Sequence, residues 1–96
     1  MPSAARLDDL ASDHDGAPPT PCIGASPDVS IDGRPAVRQG DPFGSHARPD
    51  ESDHARSLAG GSGSVFINGK PAGRIGDPIS CGGQVAEGSD TVSIGD

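Results

Sequence analysis

The chain has 96 residues, enough for one small domain spanning 1–96. Its 15 Gly and 10 Pro make up about a quarter of it, only two residues are aromatic, and the formal charge is −7, a composition that borders on the disordered range. The acidic balance argues against nucleic acid, whose phosphates need clustered Lys and Arg, and no apolar run nears the ~20 residues of a membrane-spanning helix.

Ala4-Ala5-Arg6-Leu7-Asp8-Asp9 stands near the N-terminus, with no basic stretch leading into an apolar one, so no signal peptide is expected. Residues 11–28 are dense in Pro, Gly, Ser and Asp and predict a loop; Pro18, Pro19, Pro21 and Pro27 exclude a helix there. Next, Val29 and Ile31 alternate with polar residues and run into Asp32-Gly33, a hairpin signal, because that pair tolerates positive φ. Ala36–Asp41 then restates the opening phrase as Ala-Val-Arg-Gln-Gly-Asp, and Gly40-Asp41-Pro42 predicts a turn. Residues 44–63 form a second long connection, in which only Asp50–Leu58 has a helical look. The hairpin returns as Val65-Phe66-Ile67 with Asn68-Gly69, followed by Ala72–Asp77 and Gly76-Asp77-Pro78. Pro35 and Pro71 cannot donate to a ladder, so their strands should be unpaired on that side. Val92-Ser93-Ile94 begins a third hairpin at the end of the chain.

The strand Val-x-Ile and the phrase Ala-x-Arg-x-[Gly/Asp]-Asp therefore each occur three times. The first unit lacks its leading strand and the last lacks its trailing one, so the C-terminal strand is expected to pair with the N-terminal segment. An all-β body with pseudo-threefold symmetry follows. Its core would be thin, and thin cores need a staple.

His14 lies five residues after Asp9, His46 five after Asp41, and Cys81 four after Asp77; His54 is a fourth candidate in the long connection. A threefold arrangement brings equivalent positions together near its axis. Three His and one Cys can fill a closed tetrahedral zinc site, with no position left for a reactive water. A Cys22–Cys81 disulfide across 58 intervening residues is the other possible staple. Zinc is preferred, because the disulfide takes Cys81 out of its repeat position while Cys22, taken as a free thiol beside a loop, has no counterpart. No nucleophile–base pairing stands out. Arg6, Arg38 and Arg74 are expected to pair with Asp9, Asp41 and Asp77 rather than to bind anions.

Pro2-Ser3-Ala4-Ala5-Arg6, Pro35-Ala36-Val37-Arg38 and Pro71-Ala72-Gly73-Arg74, with the hairpins and turns around them, resemble the PAAR-repeat proteins. None of the three phrases is a perfect match, but the likeness covers nearly the whole chain. It implies a small cone of β-hairpins with no catalytic role, capping a trimeric β-helical spike in a phage tail or type VI secretion system. By itself such a protein is a monomer. One copy would sit on each spike trimer through base strands at Val29, Ile31, Val65, Phe66, Ile67, Val92 and Ile94, and would meet the target membrane only transiently. It would be made in the bacterial cytoplasm and carried outward, with no effector domain attached. The likeness also implies one structural zinc near the apex, on His14, His46, His54 and Cys81. The competing possibility is a small zinc-dependent hydrolase, which would use three of those ligands and keep one position open.

Overall fold

The computed structural model describes residues 1–13, 16–47 and 52–95. Among them are eight short strands: β1 (Leu10–Ala11), β2 (Thr20–Pro21), β3 (Ser30–Ile31), β4 (Arg34–Pro35), β5 (Pro42–His46), β6 (His54–Ser57), β7 (Phe66–Ile67) and β8 (Lys70–Pro71). They pair antiparallel as β1-β2, β3-β4, β5-β6 and β7-β8, and no helix occurs among the described residues. The radius of gyration, 12.5 Å, equals the ~12.5 Å expected for a compact chain of this length.

Both expected corners carry left-handed backbone, with φ 54° and 77° at Asp32-Gly33 and 55° and 78° at Asn68-Gly69. These are the values a two-residue type I′ hairpin requires. Pro35 and Pro71 sit opposite Ser30 and Phe66 and use only their carbonyls beyond the hairpin, accepting from Leu7 and Gln39. The third hairpin is assembled from the two ends of the chain. Ser3 pairs with Ser93, and Ala4 N–H donates to the Val92 carbonyl just as Ala36 does to Val29 and Ala72 to Val65.

The three arginine phrases close into a ring. Ala5 N–H donates to the Gly73 carbonyl (2.9 Å), Gly73 to Val37 (2.8 Å) and Val37 back to Ala5 (3.1 Å). Each phrase ends in a turn in which the Asp N–H returns to the Arg carbonyl. The third turn position has positive φ: Asp8 at 75°, Gly40 and Gly76 at 92°. Asp8 thus stands in left-handed backbone where the other two units use glycine, which pays no steric penalty there.

Matched hydrogen bonds align the units, and the core resolves into layers of three. Ala4, Ala36 and Ala72 pack with Ile31, Ile67 and Ile94. Beyond them come Ala5, Val37 and Gly73, then Cys22, Leu58 and Val85, then Ala11, Phe43 and Ile79. Members of a layer differ in size and compensate one another. A Cβ on Gly73 would lie 2.7 Å from Leu58 Cδ2 and 3.2 Å from Val37 Cγ1, so that layer takes a glycine where its neighbours are larger.

Four expectations are corrected. The helical-looking stretch contains β6: Arg56 and Leu58 are buried while Ala55 is exposed, the period-2 alternation of a strand. The expected loop over 11–28 contains β2, which pairs with β1. Cys22 is free as expected, but it is a fully buried core residue, the counterpart of Leu58 and Val85, and not a thiol beside a loop. Ile31, Ile67 and Ile94 do not face outward; they are 7–8% exposed, against 37–38% for Val29, Val65 and Val92. Each Val-x-Ile strand turns both residues to one side, with the Ile sealing the core and the Val at its rim, so of the expected base residues only the three Val and Phe66 are exposed.

Candidate metal centre

The paired strands β5 and β6 run on from the core toward a cluster of His and Cys. Their register shifts between Phe43 and His46: Phe43 faces Arg56, yet His46 faces His54. One extra residue in β5 makes this a β-bulge, and directly opposed residues in an antiparallel pair share a face. The bulge therefore sets the two imidazoles side by side, with ring centroids 4.4 Å apart and planes at 72°.

Cys81 arrives from the third unit on a tight turn. Gly82 N–H donates to the Ile79 carbonyl and Ile79 N–H to Gly83, with φ of 109° and 81° at the two glycines. Ser80 is tied to Ser57 on β6 in both directions, its N–H donating to the Ser57 carbonyl and its Oγ accepting from Ser57 N–H. That docking brings Cys81 Sγ to 3.6 Å from His46 Nε2. One donor atom from each of His46, His54 and Cys81 lies within 4.8 Å of the others; His46 is buried and the other two are half-buried.

The donor set can be tested against zinc. A Zn–S bond of ~2.3 Å and a Zn–N bond of ~2.0 Å at the tetrahedral angle put S and N about 3.5 Å apart, and the observed edge matches. The tautomer is also suitable. His46 Nδ1 lies 2.6 Å from the Pro18 carbonyl, which only accepts, so Nδ1 donates and the neutral ring presents its lone pair at Nε2. A ring nitrogen held in this way by a carbonyl is the usual arrangement behind a metal-bound His. Two imidazoles and one thiol thus fit a borderline-soft divalent ion. His14, the other expected ligand, lies outside the described residues.

The arginines pair as expected. Arg6, Arg38 and Arg74 each bond both carboxylate oxygens of Asp9, Asp41 and Asp77, which also accept from the same Arg N–H. The Asp41 hydrogen bonds push the Arg38 guanidinium above its ordinary value. The third arginine nitrogen reaches the corner of a neighbouring hairpin, at Asp32, Asn68 or the Gly95 carbonyl.

Other contributors were not singled out from the sequence. Ser26, Ser62 and Ser89 are buried, and each hydroxyl accepts from the N–H groups two and three residues on. Their signal is present as Ser-x-x-Val-x-Ile, written three times. Pro18 acts through its carbonyl and leaves no side-chain signal. Arg56, buried beneath the cluster, belongs to a His-Ala-Arg written twice, at 46–48 and 54–56.

One chain that folds three like segments about a common axis, with His and Cys gathered beyond its core, defines a class of small all-β proteins built as a single-chain imitation of a trimer. The sequence model of the PAAR motif matches residues 13–87, about three quarters of the length, and the chain belongs to that family. A comparison with curated proteins gives no match. Family membership supports a spike-tip role in contractile injection systems, where such proteins are structural and associate with spike proteins.

Proposed function

We propose that residues 1–96 act as one unit, the tip of a contractile spike, with one copy capping a trimeric β-helical shaft. The observation that carries this reading is the closed ring of Ala5, Val37 and Gly73 hydrogen bonds. It gives one chain the symmetry of three, which is what a single cap on a trimer needs. Val29, Val65 and Val92, exposed to 37–38%, repeat that symmetry at the rim of the hairpin layer. Exposed strand edges there can extend the shaft's sheets by strand addition.

The ion in this reading is zinc, held by His14, His46, His54 and Cys81. When bound it supplies four directional bonds that cross-link loops distant in sequence, in a region with little apolar core. His46 is pre-set for this by the Pro18 carbonyl, and Cys81 by the Ser80–Ser57 pairing. The protein would ride on a phage-tail or type VI secretion spike and reach the target envelope with it.

Mixing the protein with a trimeric β-helical spike fragment and weighing the complex tests the cap: one chain per three spike chains is expected, and three per trimer or no binding overturns it. Metal analysis of purified protein tests the site. One zinc per chain is expected, with content and melting temperature both reduced in His54→Ala; an unchanged His54→Ala excludes the closed four-ligand site.

A further inference from the structure

Arg56 is 2% exposed, and no carboxylate pairs with it among the described residues. Its Nη1 donates to Thr20 Oγ1 (3.1 Å), and its Nη2 to the carbonyls of Ser12 (2.7 Å) and Gly82 (3.3 Å). Its Nε is buried with no partner among the described residues. The aligned hydrogen bonds make Thr20, Arg56 and Gly83 equivalent, each two residues from Cys22, Leu58 and Val85. A Cβ on Gly83 would meet Arg56 Nη2 at 3.1 Å. One large side chain, one small one and a glycine thus fill this layer, and the large one is charged.

A buried guanidinium without a counter-charge is costly, and an apolar side chain such as the Leu58 one layer below would fill the space without that cost. What an apolar side chain lacks is donors. Each acceptor of Arg56 lies on a segment tied to the His/Cys cluster. The Gly82 carbonyl follows Cys81. Thr20 lies two residues beyond Pro18, whose carbonyl orients His46. Ser12 pairs with Gln84 through both its N–H and its hydroxyl, fastening the first unit to the Cys81 turn. Arg56 itself follows His54 by two residues on β6, on the same face of the strand.

We propose that Arg56 is the positioning residue of the metal centre: its planar, five-donor head locks the segments bearing His46, His54 and Cys81 at ligand spacing before an ion arrives. This rests on reading the cluster as a metal centre. Lysine cannot substitute, because a single ammonium cannot hold three acceptors in one plane.

The test uses Zn2+ in competition with a chromophoric chelator, and Co2+ as a spectroscopic probe, on wild type, Arg56→Lys and Arg56→Met. The expected result is about a 10- to 100-fold loss of Zn2+ affinity in both variants, with altered Co2+ ligand-field bands and a metal-free Arg56→Met that melts no lower than wild type. Affinity within twofold of wild type, or a lower melting temperature with an unchanged Co2+ spectrum, overturns the proposal and leaves the metal centre standing. A wild type with no Co2+–thiolate band overturns the metal centre itself and the positioning role with it.

Discussion

Three different acceptors close three equivalent corners: the Asp32 carboxylate, the Asn68 amide oxygen and the Gly95 carbonyl. Each accepts a hydrogen bond from an arginine and from a buried serine hydroxyl. Only the first can titrate. The Ser89 hydroxyl, then Thr91, then Arg6 hold the Asp32 carboxyl below the ordinary Asp value of 3.8. A group lowered in the folded state stabilises the fold above its unfolded value, and that stabilisation is lost as pH falls through the lowered one. Asp32→Asn, which copies the Asn68 corner, should therefore be less stable than wild type at pH 7, and that deficit should shrink as the pH falls from 3.8 through the lowered value. Urea titrations of the metal-free proteins at pH 7 and through the acid range would show it, and a deficit that persists at the acid end would contradict it. The cysteines should also separate. Burial pushes the Cys22 thiol up to about 11, and its S–H donates to the Gly24 carbonyl. Iodoacetamide at pH 8 should label the chelated native protein at Cys81 and reach Cys22 only on unfolding, as peptide mass mapping can establish.

Among the elements, the hairpins were legible and the strands β5 and β6 were not. Asp-Gly and Asn-Gly specify their turns by local backbone energetics alone, so the sequence states them openly. The β5–β6 pairing depends on a bulge, and a bulge is chosen by what lies opposite, which no local pattern records. His54-Ala55-Arg56-Ser57 alternates only once it is known that Arg56 belongs inside. Cys22 was misplaced for the same reason, since its likeness to Leu58 and Val85 is positional rather than chemical. The candidate ligands split likewise: the meeting of His46 and Cys81 follows from their offsets after Asp41 and Asp77, whereas the place of His54 comes from the register shift. The layers make a further prediction. Gly73→Ala should destabilise the protein by about 1–3 kcal/mol through overpacking against Leu58. Leu58→Val in the same chain should recover part of that loss, so that a double-mutant cycle by urea unfolding gives a coupling term well away from zero.

At the level of the whole molecule, the layers carry few large side chains, and in the proposed reading a bound ion supplies what they lack. A strong chelator should lower the melting temperature by on the order of 15 °C or more, the size expected when a ligand present at a thousand times its dissociation constant is withdrawn from a domain this small. Re-addition of Zn2+ should restore it, and a melting curve indifferent to chelator would count against the staple. The ring of Ala5, Val37 and Gly73 hydrogen bonds bears on how such a body would fail under load. An open sheet peels from its edge one bond at a time, whereas a closed ring has no edge from which to start. A push along the axis becomes hoop tension, shared among three bonds that must give way together, as a ferrule keeps the end of a stick from splitting.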